Sequence, residues 1–248
     1  MSNASISTNN LTIGYEQKVV QRNLCFSLQV GEMVCMLGPN GCGKSTLLRT
    51  LAGLQPALSG TFAFPIPDSQ QPIHASGSDI ALVLTERLSL DNTTVHDVVA
   101  MGRYPYTSFL GGLSAEDEQV IEQALADVGL ASLPIGHTPF NAHSDGEKQR
   151  ILIAKAIAQQ TPIILLDEPT AHLDLPNRIR ILQLLRRLAH EQGKTILIST
   201  HELDLAIQLS DRILLMSEQG IQLDTAALLR QTNAFTKAFG MDIFHPLA

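Results

Sequence analysis

Eight consecutive residues, Gly38 to Ser45, read GPNGCGKS, and they restrict the fold more than any other stretch of the chain. They fit the pattern GxxxxGK[ST], in which glycines let the backbone wrap closely around phosphate groups. That chemistry requires a strand ending just before the loop and a helix starting at its end. Both are legible. Met33 to Leu37 (MVCML) is a short apolar run rich in strand formers, and Thr46 to Leu54 has a helical pattern. Gly38, Pro39, Asn40, Gly41, Cys42 and Gly43 are expected to wrap around the phosphates, with the N–H groups of all but Pro39 available to turn inward. Lys44 should reach the β- and γ-phosphates of a nucleotide and Ser45 a Mg²⁺ ion, with Thr46 completing the contact run where the helix dipole adds positive charge. A plain Gly-rich turn would lack this strand and helix context.

Three further runs look like strands buried on both faces, as in a parallel sheet: Ile163 to Leu166, Thr195 to Ser199 and Arg212 to Met216. They alternate with helical patterns, which reads as α/β. Ser114 to Gly129 opens with Ser-x-x-Asp, resembling a capping box, and then spaces Val120, Ile121, Ala124, Leu125 and Val128 helically. From about Glu86 to Ala158 there are helical patterns and no convincing strand, which suggests a helical subdomain inserted into the sheet. The segment Phe64 to Ser78 reads as a loop preceding it. At 248 residues, 44% hydrophobic and 17% charged, one α/β domain with such an insert can bury a full core.

Downstream, the apolar run Ile163 to Leu166 ends in Asp167 and Glu168. Alone, an acidic pair after a strand is an ordinary loop or cap. With the phosphate loop upstream it reads as a Walker B segment, Asp167 holding Mg²⁺ through water and Glu168 polarising the attacking water as general base. His201 follows the strand Thr195 to Ser199 and so belongs to the same carboxyl edge of the sheet. There it can touch the γ-phosphate.

Other chemistries are disfavoured. A net charge of −7, 4% aromatic residues and no Trp oppose a nucleic-acid surface, which needs clustered cations and stacking rings. The N-terminus MSNASISTNN has no apolar signal core, and no apolar run approaches the roughly 18 residues that span a bilayer. No direct membrane insertion is expected. Cys25, Cys35 and Cys42 form no CxxC, which suits a reducing compartment and neither a disulfide framework nor a metal cluster. Cys42, between two glycines at a helix start, is expected to carry a reactive, thiolate-favouring sulfur.

These motifs resemble the ABC-type ATPase family over nearly the whole chain. The resemblance implies a P-loop NTPase sheet core, residues 1–85 and 159–248, with an inserted helical subdomain, 86–158, bearing the family's signature. It assigns adenine stacking to Tyr15 in LTIGYEQ, although an ordinary strand Tyr would read the same. The signature, usually LSGGQ, is here HSDGE, His143 to Glu147. Ser144 and Gly146 take its phosphate-facing places, contacting the γ-phosphate bound by the opposite subunit, so the working unit is expected to be a homodimer sandwiching two ATP with Mg²⁺. Asp145 stands where the signature has glycine, and Ser144 with Glu147 also reads as a simple capping box. In AHLD, Ala171 to Asp174, Asp174 would bridge the two sites or merely cap a helix. Where the family has Gln before the helical insert, this chain has Thr85 in IALVLTER; Thr85 is the remaining candidate Mg²⁺ ligand, with Glu86 beside it.

Two stretches narrow the branch. Val95 to Asp117, especially Met101 to Tyr106 (MGRYPY), looks like a segment of importers for siderophores, haem and vitamin B12, and SDGEKQR is similar to a signature variant of iron-chelate importers. The resemblance then implies an ATPase on the cytoplasmic face of the inner membrane. It would serve two copies of a membrane permease and an extracytoplasmic substrate-binding protein, a permease helix entering the groove between the Thr85 loop and the MGRYPY segment. A soluble ABC ATPase that moves no solute, and the ATPase of an exporter, are the alternatives. The chain lacks the tandem units or long coiled-coil and zinc insertions of the first, and its GRYPY tract argues against the second.

Overall fold

The computed structural model describes residues 4–16, 18–64, 79–84, 90–107, 112–131 and 138–240. Met33–Leu37 (β3), Ile163–Asp167 (β6) and Thr195–Ser199 (β7) bury every residue. Strands without a wet face must sit in the middle of a sheet covered on both sides. They do so here. With Ile80–Val83 (β5), Arg212–Ser217 (β8) and Gly220–Asp224 (β9) they form a six-stranded sheet ordered β5-β6-β7-β3-β8-β9, parallel except for the edge strand β9.

A second sheet was not visible in the sequence. Ala4–Tyr15 (β1), Lys18–Gln29 (β2) and Ser59–Ala63 (β4) pair antiparallel in the order β2-β1-β4. Helix Lys44–Leu51 (α1) packs between the two sheets, burying Leu47, Leu48 and Leu51 among Ile13 and Leu28 of one sheet and Met36, Leu165 and Leu197 of the other. Each such leucine contributes on the order of 2 kcal/mol of apolar burial. The helix starts two residues before the sequence pattern placed it, because Gly43 (φ +108°) caps it and Lys44 opens it.

Between β5 and β6 the named elements of the described residues are helical: Val95–Ala100 (α2), 3-10 segments Met101–Tyr106 and Phe140–Ala142, Ala115–Asp127 (α3) and Asp145–Ala158 (α4). Capping boxes start all three α-helices, Thr94 with Asp97, Ser114 with Asp117 and Ser144 with Glu147, each pairing two N–H groups that the helix leaves unbonded. Arg103 locks the group together. It is buried, and donates to Asp117 Oδ1 (2.8 Å), to the Ala158 carbonyl (2.8 Å) and to Gln160 Oε1 (2.7 Å), with its guanidinium 4.2 Å from the Tyr106 ring centre. The remaining helices, Leu175–Gln192 (α5), Leu203–Leu209 (α6), Ala226–Gln231 (α7) and Ala234–Phe239 (α8), follow β6, β7 and β9. Residues 65–78, the bulk of the expected Phe64 to Ser78 loop, lie outside the described residues.

Candidate active site

Parallel pairing in the order β6-β7-β3 aligns the carboxyl ends of three strands, and the candidate residues gather at that edge. The phosphate loop joins β3 to α1. Lys44, 7% exposed, folds back over the loop and donates to the carbonyls of Gly38 (2.8 Å) and Pro39 (3.2 Å). At Gly43 the positive φ would strain a side chain, and a Cβ there would also meet Val20 Cγ1 at 2.7 Å. The loop therefore needs glycine at this point. Gln21 of β2, absent from the sequence reading, donates to the carbonyls of Cys42 (2.9 Å) and Ser217 (2.8 Å), tying the loop to β2 and to the end of β8.

At the end of β6, Asp167 is buried and accepts from Ser199 Oγ at 2.5 Å. The next residue, Glu168, turns into the left-handed region (φ +47°), where its N–H donates to Ser199 Oγ (2.9 Å) and to the Ser199 carbonyl (3.1 Å). Such a backbone costs about 1–3 kcal/mol and persists only where neighbours over-determine it. Ser199 is that neighbour, and it holds both acids. A serine closing an apolar strand two residues before His201 carried no signal of its own. The Glu168 carboxylate then points at His201, Oε1 lying 2.6 Å from Nε2.

Tyr15, at the end of β1, is exposed, and its hydroxyl lies 3.1 Å from Thr46 Oγ1. This leaves an aromatic face beside the start of α1. Ser144, Gly146 and Asp174 form a second cluster. Gly146 packs so closely on the turn before α5 that a Cβ would meet the His172 carbonyl oxygen at 3.0 Å and Leu173 Cδ2 at 3.4 Å. Ser144 caps α4, its N–H and hydroxyl holding the Glu147 carboxyl below the usual carboxylate range. Asp174 caps α5, accepting from the Asn177 N–H at 3.1 Å. The capping roles weighed for both residues in the sequence are thus geometrically present.

The expectation for Cys42 is corrected. Its sulfur is buried and burial, outweighing the nearby Lys44 charge and the backbone N–H groups, pushes the thiol up rather than down. The exposed cysteine is Cys25. Thr85 and Glu86 lie outside the described residues. The donors near the loop, the Ser45 hydroxyl and a buried Asp167 carboxylate with one oxygen engaged by Ser199, are the hard oxygen ligands that Mg²⁺ selects. Among the described residues no His, Cys, Asp and Glu group forms a self-contained metal cage, and no helix is long and apolar enough to cross a membrane.

Comparisons with known proteins point the same way. A family model described as "ABC transporter" matches residues 21–171. The iron(3+)-hydroxamate import ATP-binding protein FhuC of Bacillus subtilis (strain 168) is 37% identical over 229 residues, covering 90% of this chain and 83% of that protein. Among solved structures, a chain of a metal-chelate type ABC transporter in an inward-facing conformation superposes with TM-score 0.82 at 31% identity, covering 96% of this chain and 90% of that one. The ATP-binding cassette MJ0796, solved as a dimer in a post-hydrolysis state with ADP and Pi, has TM-score 0.75 at 26% identity, covering 89% and 98%.

Proposed function

Since the chain belongs to the ABC transporter family as its ATP-hydrolysing component, we propose that it energises uptake of an iron chelate, haem or a related large ligand through a separate membrane permease. It works as a homodimer with two ATP between the subunits, peripheral to the cytoplasmic face of the membrane. The observation that carries the ATPase reading is the Asp167–Ser199–Glu168–His201 network beside the phosphate loop. The similarity to a hydroxamate-import ATP-binding protein and to a metal-chelate transporter supports the ligand class. Tyr104 and Tyr106 stay exposed on the 3-10 segment, which suits a surface that receives the permease, and an extracytoplasmic binding protein would deliver the ligand.

Each residue has a part in hydrolysis. Lys44 exchanges its two loop carbonyls for β- and γ-phosphate oxygens, and the loop N–H groups and the start of α1 surround the phosphates. Tyr15 offers its face to adenine. Ser45 and Asp167 would hold Mg²⁺, which when bound neutralises phosphate charge, with Thr85 a candidate additional ligand. Glu168 orients the attacking water and takes its proton. His201, hydrogen-bonded to Glu168, fixes that carboxylate and faces the γ-phosphate. Ser144 and Gly146, at the positive end of α4, serve the γ-phosphate of the opposite subunit, and Asp174 lies between the two sites.

Two variants test this. Lys44→Ala should weaken ATP binding at least tenfold, since it deletes a charge-assisted phosphate contact. Glu168→Gln should keep ATP affinity while turnover falls by about 10² to 10⁴, the usual worth of a general base. Calorimetry and phosphate release separate the two. A Glu168→Gln protein that hydrolyses ATP normally would remove Glu168 from this role, and failure to co-purify with a binding-protein-dependent permease would remove the importer reading.

A further inference from the structure

Away from the phosphate loop, a cavity of about 240 Å³ opens between the end of α3, the middle of α4 and the stretch of α5 from Asn177 to Arg187. Arg150 of α4 and Arg180 and Arg187 of α5 stand around it, with Asp127 the one acid in its wall. Arg180 and Arg187 are seven residues apart on one helix and so share a face. Among the described residues, none of the three arginines makes an ion pair. Arg150 reaches only the carbonyls of Val128 and Gly129, both at 3.4 Å, and its Nε is buried without a hydrogen-bond partner. Its charge is felt by Glu147, one turn back on α4, and Asp127 is engaged by Gln123 at 2.9 Å.

Three cations around one small cavity repel each other, and a buried guanidinium N–H without an acceptor costs desolvation energy. In a chain of net charge −7, this concentration of arginine is a local reversal of sign. The geometry points to a binding site for a small polyanion carrying two or more phosphate groups, separate from the phosphate loop. Arginine's planar fork matches phosphate oxygens two at a time, and the cavity has room for a compact phosphorylated molecule but no stacking ring in its wall for a base. A ligand there would bridge α4 to α5, joining the helices before β6 to the helix after it.

Inorganic pyrophosphate is a suitable probe, titrated calorimetrically into the full chain with the phosphate loop already saturated by ADP. The wild-type protein should still bind one equivalent. Lys44→Ala should bind it equally well, while Arg180→Glu and Arg187→Glu, both at exposed positions, should each weaken it by about tenfold or more and leave ADP affinity unchanged. Pyrophosphate binding that disappears with ADP or in Lys44→Ala would place the anion at the phosphate loop, and binding that ignores both arginine variants would place it away from this cavity; either result overturns the proposed site.

Discussion

Ser199 matters at the residue scale because one hydroxyl serves two carboxylate-bearing residues. Its Oγ–H donates to Asp167 while its lone pair accepts the Glu168 N–H, so the strained Glu168 backbone and the Asp167 rotamer depend on the same atom. Ser199→Ala should therefore lower ATP turnover by roughly tenfold or more through misplacement of Glu168, while ATP affinity changes little. Ser199→Thr, which keeps the hydroxyl, should recover much of the loss. A parallel fall in kcat for both variants would make the effect one of packing. Sequence reasoning located Asp167, Glu168 and His201 from their place after apolar strands. It missed Ser199, Gln21 and Arg103 because a buried hydroxyl, amide or guanidinium is recognised by its partners, and those partners lie 21 to 196 positions away for Ser199 and Gln21.

Among the elements, α3 and α4 share a buried apolar cluster, Ile121, Ala124 and Leu125 of one with Ile151 and Ile153 of the other, and a polar lock stands beside it. The Asp117 carboxyl, bonded by the Ser114 N–H and hydroxyl and then by Arg103, is held down to about 2 from its ordinary 3.8. A depressed folded-state value means that this carboxylate's stabilisation is complete above about pH 4 and disappears as pH falls through about 2. Asp117→Asn should destabilise the protein at neutral pH and make its stability less steep between pH 4 and 2, as read from urea midpoints at each pH. An unchanged slope would mean that other carboxylates dominate acid unfolding. Here too legibility varied with the physics. The fully buried strands of the parallel sheet were plain as continuous apolar runs, and α3 was plain from its cap and spacing. β1 and β2 were not, because repeated register shifts, between Thr8 and Leu11 and again between Leu11 and Ile13, break the alternation on which strand recognition depends.

At the scale of the whole molecule, assembly turns on the start of α4. Ser144, Gly146 and Asp174 line up along α4 and the turn before α5, a surface that a second copy would meet in the proposed dimer. Asp145 adds a carboxylate to the first turn of α4, where a negative charge suits the helix dipole but opposes an incoming phosphate. At about 6 Å and an effective dielectric near 20 one such repulsion is worth roughly 3 kcal/mol before screening. Asp145→Gly in the Glu168→Gln background should therefore sharpen ATP-driven dimerisation on size-exclusion chromatography, most clearly at low salt. If the dimer fraction is unchanged and the protein melts earlier, Asp145 is a helix-start residue only.

The Gln21 amide limits how the chain can be cut. Every residue of the phosphate motif lies after position 37, so a fragment starting at β3 would carry the entire motif and the whole parallel sheet. Such a fragment would lack the side chain that braces the Cys42 carbonyl against Ser217, and it would uncover the face of α1 that rests on β1 and β2. The eight-residue motif is therefore not a transplantable module. The first strands of the chain, which match no phosphate-binding motif, support the phosphate loop as much as its own glycines do.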